Sequence, residues 1–359
     1  MKKINRNLFF LIVIMIVETI FLKTFMYDIL PKKYFFDANH ILGVMKGISA
    51  TDKSYSYVAN IFNRINFFNL TSVKEWGYAI SIIFVPIIIV CLRKEKKYSI
   101  GQTIFIFASY TLLNIYVLGI SKDIIQFVYF LLLYLIVSNK KIKNTKKIIL
   151  SCIVLLIEAL LFRVYYAIMA MLIVTIYFVY IRFIRNKEIN KKQFFKILVI
   201  SLFLFFTEVF LVQLISYDNY DAILNARYSV NIWRANDDNA NTIINDLLGK
   251  NTNYFKFIGN YLINFVRLML PVELIFKGVK QILFMIYQFT ITSNLAKSCK
   301  KIDDENCLWI IFVLSFIMIS VIFEPDFGSF VRHETTMMLF LLEIMKINRK
   351  ENNNVKEKN

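Results

Sequence analysis

The feature that most constrains this chain is a series of ten apolar runs separated by short polar segments. The runs occupy 8–25, 77–92, 98–118, 124–138, 148–162, 164–181, 194–215, 279–295, 308–323 and 330–345. A bilayer's hydrocarbon core is about 30 Å thick and takes roughly 20 helical residues to cross, so these runs approach the length of a span. Hydrophobic residues make up 58% of the chain and charged residues 19%, a balance that no soluble globule shows. The sequence therefore predicts an all-α polytopic integral membrane protein with about ten transmembrane helices.

The positive charge of the chain has to be interpreted by position. Lys and Arg number 43 against 25 Asp and Glu, which in a soluble protein would suggest nucleic acid binding. Here the basic residues concentrate in short segments between runs, such as 93–97, 140–147 and 182–192. Short basic loops stay in the cytoplasm. We therefore expect a protein of the bacterial cytoplasmic membrane with both termini on the cytoplasmic side. We expect no nucleic acid partner.

The same charge rule resolves two ambiguous stretches. Residues 148–181 have basic flanks at both ends, so we expect a hairpin with Arg163 at its outer tip. In 254–270, aromatic and aliphatic residues alternate at helical spacing with a polar stripe that includes Asn260, Asn264 and Arg267. This pattern predicts an amphipathic helix at the outer interface rather than a span. The expected organisation is one membrane domain, 1–346, with large outer loops at 27–76 and 216–278, and a polar basic cytoplasmic tail, 347–359.

Arginine is the residue type that stands out in the predicted outer segments. The five are Arg163, Arg227, Arg234, Arg267 and Arg332. A guanidinium binds phosphate or carboxylate through two parallel hydrogen bonds and stays charged when partly desolvated. The set therefore indicates an anionic substrate at the membrane surface. For any one arginine, the alternative is a lipid headgroup contact or a loop salt bridge.

Residues 324–334 place several ionisable groups at the turn before the last run. One interpretation is a plain turn in which Asp326 or Ser329 caps the last helix. The other is that Arg332 and His333 point into an active-site cavity, with His333, Asp326 and Asp37 as competing general bases. Further candidate substrate contacts are Arg227, Asn264, Lys122 and Glu324. For the segment Ser121-Lys122-Asp123, a helix cap with an ion pair competes with a substrate contact.

Absent motifs narrow the range of functions. The sequence has no Walker motif, no H-E-x-x-H, no G-x-S-x-G and no D-x-D on a soluble domain, which argues against an ATP-driven pump or a cytosolic nucleotide-sugar transferase. No metal or cofactor is expected. Three glutamates lie within the runs, Glu18, Glu158 and Glu208, and two interpretations of them stay open: a proton relay, as in a secondary transporter, or pairing with buried lysine or arginine side chains.

Five segments of the chain resemble a known family. They are 33–41, 119–123, 162–166, Arg267 with 270–274, and 324–333. Together they look like the Wzy-type oligosaccharide repeat-unit polymerases of bacterial capsule and exopolysaccharide biosynthesis. One departure is His40, which stands where that family leads us to expect an arginine.

The resemblance implies a metal-independent glycosyl transfer at the outer leaflet. A glycan on undecaprenyl pyrophosphate moves onto a second lipid-linked repeat unit, and lipid pyrophosphate leaves. Positive charge for the leaving diphosphate would come from Arg163, Arg234, Arg267 and Arg332. Loop aromatics such as Tyr228, Trp233 and Tyr254 could stack on sugars or anchor the interface. A chain-length regulator and a flippase are the protein partners that this implies. A lipid-linked oligosaccharide flippase and an O-antigen-ligase-like transferase remain the alternatives.

Overall fold

The computed structural model describes residues 6–49, 53–95, 97–183, 191–234 and 242–356, and the regular elements of these residues are all helices, without a β-strand. An isolated bridge pairs Ile243 with Asp326. The α-helices are α1 (Arg6–Ile29), α2 (Phe36–Met45), α3 (Lys53–Ile65), α4 (Val73–Leu92), α5 (Ile100–Tyr116), α6 (Lys122–Ser138), α7 (Asn144–Leu161), α8 (Tyr165–Phe183), α9 (Lys191–Ile215), α10 (Tyr217–Leu224), α11 (Ala226–Arg234), α12 (Tyr254–Met269), α13 (Val279–Cys299), α14 (Cys307–Phe323), α15 (Phe327–Thr335) and α16 (Met338–Lys356). The predicted all-α class is confirmed.

Three of the described helices are long and apolar enough to cross a membrane, namely Asn7–Ile29, Val73–Leu92 and Tyr165–Phe183. Three shorter apolar helices are Ile100–Tyr116, Leu198–Leu214 and Cys307–Phe323. These helices also display large apolar side chains on their outer surfaces, among them Phe10, Ile83 and Phe178. Apolar surface of this kind indicates a membrane protein.

Local sequence signals explain where several helices begin and end. Ser72 and Glu75 form a capping box at the start of α4, since each side chain accepts a hydrogen bond from the other residue's backbone N–H. Ser99 and Gln102 do the same for α5. The predicted turn at Arg163 is confirmed, because α7 ends at Leu161 and α8 begins at Tyr165. The predicted outer loops contain helices of their own: α2 and α3 in 27–76, and α10 to α12 in 216–278.

The last predicted apolar run, 330–345, is not one helix, and that prediction was wrong. The chain is helical to Thr335 and again from Met338. The side chains of Thr335 and Thr336 donate to the carbonyls of Arg332 and His333, at 2.6 and 2.5 Å. The backbone N–H groups of Thr336 and Met337 bond three residues back, to His333 and Glu334. Such competing bonds tighten and end a helix, which separates α15 from α16.

The helices form two compact units, each of which combines distant parts of the chain. The first unit comprises Met1–Tyr134, Leu160–Arg163 and Arg332–Leu342. In it, α1 packs against α4 and α5, and α2 packs against α3 and α4. Lys23 of α1 is fully buried and donates to the carbonyls of Asn114 and Leu118, at 2.5 and 2.6 Å. Asn114 lies in the last turn of α5 and Leu118 lies just after its end, where a cation is favourable.

The second unit comprises Leu135–Ala159, Val164–Val331 and Glu343–Asn359. There α14 packs against α8, α12 and α13, and α9 packs against α8 and α10. The predicted helix at 254–270 is present as α12. Its Asn260 and Asn264, expected on a polar stripe opposite the apolar one, are buried at 2% and 1% exposure. Leu262 and Val266 are exposed instead.

Candidate functional site

The centre of the candidate site is Asp123, which opens α6. Ser121 lies just before this helix, and its hydroxyl accepts a hydrogen bond from the Ile124 N–H at 3.2 Å. This is the helix cap that the sequence predicts. It fixes Asp123 at the first turn of α6, just before the apolar run of that helix begins.

Asp123 contacts two guanidiniums and one imidazole from distant parts of the chain. Its Oδ2 lies 3.0 Å from Nε of Arg332, and its Oδ1 lies 3.2 Å from Nε2 of His333 and 3.5 Å from Nη2 of Arg163. Arg332 reaches a second carboxylate, since its Nη1 lies 3.4 Å from Oδ2 of Asp37. We call Asp37, Asp123, Arg163, Arg332 and His333 the Asp123 cluster.

Burial and charge within the Asp123 cluster are unequal. The Asp123 side chain is 3% exposed and that of His333 10%, whereas Arg332 and Asp37 are exposed at 28% and 31%. Burial raises the pKa of the Asp123 carboxyl, but the charges of Arg332, His333 and Arg163 outweigh burial and hold that pKa well below its usual range. Asp123 is therefore an anion that holds the guanidiniums in place. Arg332 and Asp37 are the partly exposed members of the cluster.

Neighbouring polar side chains fix the geometry of the Asp123 cluster. Gln126, one turn after Asp123, accepts from Nη1 of Arg163 at 2.8 Å and donates to Thr336 at 3.1 Å. Tyr55 of α3 donates to Asp37 at 2.5 Å. Lys122 donates to Ser54 at 2.9 Å, with its Nζ 3.2 Å from the centre of the Tyr55 ring. The ion pair expected beside the Ser121 cap thus involves Asp123 with Arg163, Arg332 and His333.

A cavity of about 40 Å³ in the first unit adjoins the cluster. Its walls include Asp37, Asp123, Arg332, Ser121 and Lys23, together with three tyrosines, Tyr27, Tyr34 and Tyr116. Tyr34 and Tyr116 stack with ring centres 5.9 Å apart. A space of this size holds a few water molecules or a small part of a ligand. The cluster therefore faces a polar space with aromatic walls.

Arg227 and Arg267 belong to a different network, within the second unit. Arg227 is buried, lies 3.2 Å from Asp246 and donates to the carbonyls of Glu324 and Val321. Arg267 makes two bonds to Glu273, at 2.8 and 3.2 Å.

Asn264 bridges this second network, because it donates to Asp246 at 2.6 Å and accepts from Arg267 at 3.2 Å. Arg267 also donates to the Asn245 carbonyl at 2.7 Å. Asn260 pairs with the backbone of Leu248 and Gly249. These contacts hold the 242–251 segment against α12. They give Arg227 and Arg267 partners within the protein and explain why Asn260 and Asn264 are buried.

The other residues that the sequence predicts as site residues lie in different surroundings. Asp326 accepts from the Ser329 N–H at 2.7 Å, as expected for the capping interpretation. Glu324 is buried, at 5% exposure. Tyr254 packs between Phe210 and Phe257, and Tyr228 is half-buried. The side chains of Arg234 and Trp233 lie outside the described residues.

Sequence reasoning missed the central role of Asp123 and the supporting roles of Gln126 and Tyr55. Asp123 was noted only as part of a helix cap. A usable signal was present, since an acidic residue at the head of an apolar run needs a cation nearby, and Arg163 and Arg332 were predicted at the same side of the membrane. Nothing in the sequence indicates which cations pair with it.

Among the described residues, no group of three or more His, Cys, Asp and Glu side chains is arranged to hold a metal ion. No known family model matches the chain, and no curated protein or solved structure is significantly similar to it. The candidate site therefore has to be interpreted from its own chemistry.

Proposed function

We propose that this protein is a membrane glycosyltransferase of the Wzy type, which polymerises undecaprenyl-pyrophosphate-linked oligosaccharide repeat units for a capsule or exopolysaccharide. The observation that carries the proposal is the Asp123 cluster, in which two guanidiniums from distant segments are fixed on one buried carboxylate. In an apolar, helical protein, such a cluster suits an anionic substrate held at the membrane surface.

The charge of the cluster favours a diphosphate. Arg163, Arg332 and neighbouring Lys122 carry three positive charges against two on Asp37 and Asp123. Arg332 is pre-oriented by its two carboxylates yet partly exposed. A fixed guanidinium stabilises the negative charge that develops on a leaving diphosphate without reorganising during the reaction.

The base is best assigned to Asp37. His333 is nearly buried beside Asp123, and Asp326 caps α15, whereas the Asp37 carboxylate is partly exposed at the cavity wall. In the proposed step, the acceptor hydroxyl oxygen bonds to the anomeric carbon of the donor glycan. The bond from that carbon to the diphosphate oxygen breaks, lipid diphosphate leaves, and the hydroxyl proton passes to Asp37.

The proposal includes the topology predicted from charge. About ten spans would place both termini in the cytoplasm and 27–76 and 216–278 outside, so that lipid-linked substrates reach the cluster from the outer leaflet. The supporting observation is that the predicted inner segments carry most of the positive excess of the chain. A chain-length regulator and a flippase would act beside it.

The test is polymer formation by purified protein in vesicles given only lipid-linked repeat unit. Asp37→Asn should lower the rate by about 10²–10⁴-fold, the usual contribution of a general base. Arg332→Lys keeps the positive charge but removes the planar N–H donors of the guanidinium. It should lower the polymerisation rate by roughly 10²-fold. Arg182→Lys, at an exposed arginine in the last turn of α8, is the matched control and should polymerise normally.

Two outcomes would contradict the proposal. Full-length ladders from both Asp37→Asn and Arg332→Lys would remove the catalytic assignment. Movement of the substrate between leaflets without ladders would indicate the flippase, and transfer onto a lipid acceptor without ladders would indicate the ligase.

A further inference from the structure

The segment between α3 and α4 presents two adjacent phenylalanines at the surface. Phe67 and Phe68 are 82% and 83% exposed, and Ile65 beside them is 49% exposed. Single exposed apolar residues are ordinary, but adjacent large ones mark an interaction surface.

This segment is held in a defined shape. The Asn66 side chain accepts from the Leu70 N–H at 2.7 Å and donates to the Leu70 carbonyl at 3.1 Å, which closes the loop at its base. Asn69 has φ of 52°, a left-handed conformation that asparagine tolerates better than most residues. Phe67 and Phe68 are therefore presented at the tip of a closed loop. We call residues 66–70 the Phe loop.

The Phe loop lies next to a candidate membrane span. Val73 opens α4, a helix long and apolar enough to cross a membrane, and it follows Phe68 by only five residues. The capping box of Ser72 and Glu75 fixes that starting point. The loop therefore lies at the end of a candidate span, where the boundary between lipid headgroups and acyl chains is expected.

The flanking charges fit the same boundary. Arg64 precedes the loop and is exposed, and Lys74 follows it at the first turn of α4. Aromatic side chains that enter the acyl region beside basic side chains that reach the headgroups are typical of interfacial anchors. We propose that the Phe loop is a membrane anchor that inserts Phe67 and Phe68 between headgroups and acyl chains on the side where α4 begins.

The anchor has a structural connection to the Asp123 cluster. The loop follows the C-terminal end of α3, and the N-terminal part of α3 carries Ser54 and Tyr55, which contact Lys122 and Asp37. Over its 13 residues, α3 spans about 20 Å. Anchoring one end of this helix would fix the position of the other relative to the lipid surface.

Tryptophan fluorescence tests the anchor without any assumption about catalysis. Phe67→Trp and Phe68→Trp are reconstituted separately into vesicles of phosphatidylethanolamine and phosphatidylglycerol, whose acyl chains are brominated either near the headgroup or near the chain end. The emission of the parent protein, which has three tryptophans, is subtracted. Asn60→Trp on the exposed surface of α3 is the water control, and Ile83→Trp, exposed in the middle of α4, is the deep control.

We expect lipid brominated near the headgroup to remove most of the added emission at 67 and 68, and lipid brominated near the chain end to remove less. Ile83→Trp should show the opposite order, and Asn60→Trp should respond only to aqueous acrylamide. Acrylamide quenching at 67 and 68 equal to that at 60 would overturn the anchor. So would protection from both bromine and acrylamide, which would mean that a protein surface covers the loop.

Discussion

Asp123 contacts Arg163, Arg332 and His333 with a single buried carboxylate, so a change at this residue affects all three. The carboxylate does not need to touch substrate to control the site, because it sets where the guanidiniums point. Asp37 differs from it in exposure and in partners, since it binds Tyr55 and only one arginine. The two carboxylates are therefore expected to have separable effects.

We predict that Asp123→Asn destabilises the protein by about 1–3 kcal/mol, because Arg163 and Arg332, both only partly exposed, lose their counter-charge. The measurement is thermal unfolding of the purified protein in detergent micelles. Asp28→Asn, at an exposed position of α1, is the matched control and should unfold like the parent. Equal melting temperatures for the two variants would contradict the organising role.

The pH dependence follows from the same carboxylate. Its pKa is depressed in the folded protein, so its contribution to stability is complete above its ordinary value of 3.8 and is lost as the pH falls from there toward the lower folded value. The stability difference between the parent and Asp123→Asn that is measured at pH 5 should therefore shrink below about pH 4.

The cap at Ser121 could be predicted from the sequence, because a helix cap depends on neighbouring residues. The pairing of Asp123 with Arg163 and Arg332 could not, since it joins residues up to about two hundred positions apart. Arg267 shows the converse problem. Its spacing on α12 suggested a substrate contact, but Glu273, six residues later, binds the Nε and Nη2 edge of its guanidinium.

At the scale of elements, α1 and α4 approach closely because Gly77 has no side chain. A Cβ at Gly77 would meet the hydroxyl of Tyr27 and lie 3.4 Å from Cδ of Lys23. Tyr27 packs its ring on Phe35 at 4.9 Å, which restricts its movement. The contact between these helices therefore depends on one small residue.

We predict that Gly77→Ala lowers the free energy of unfolding by about 1–3 kcal/mol through overpacking. Gly101→Ala in α5 is the control, because no atom lies within 4 Å of its added methyl group. Because alanine has a higher helix propensity than glycine, this substitution should leave the free energy of unfolding unchanged or raise it by up to about 1 kcal/mol. Thermal unfolding in micelles measures both, and equal shifts in the two variants would refute the close-packing argument.

Some helix ends could be predicted from sequence patterns, and others could not. The first nine predicted runs each correspond to one helix, since apolar composition and capping residues are local signals. The break between α15 and α16 escaped prediction because an apolar pattern continues across it. The hydroxyls of Thr335 and Thr336, which bond back to the backbone, end the helix without changing its hydrophobicity.

At the scale of the whole molecule, charge distribution is the feature that predicts orientation. The basic segments 93–97, 140–147 and 297–301 are expected on one side, and the 27–76 segment on the other. Three of the described helices are long and apolar enough to be spans, which leaves orientation open, so it requires its own measurement.

We predict that a cysteine at Lys141 is not labelled by a membrane-impermeant maleimide added to intact cells, whereas a cysteine at Asn63 is. The four native cysteines are replaced by alanine first. Detergent permeabilisation should make both positions reactive, which controls for local burial. Labelling of residue 141 in intact cells would contradict the predicted topology.

The buried Lys23 has a consequence for biogenesis. Its two acceptor carbonyls, at Asn114 and Leu118, are made 91 and 95 residues after it. At roughly 5–20 residues per second, the ribosome needs about 5–20 seconds to supply them. During that interval the ammonium has none of its final partners, so the contact of Lys23 with α5 forms only after α5 has been synthesised.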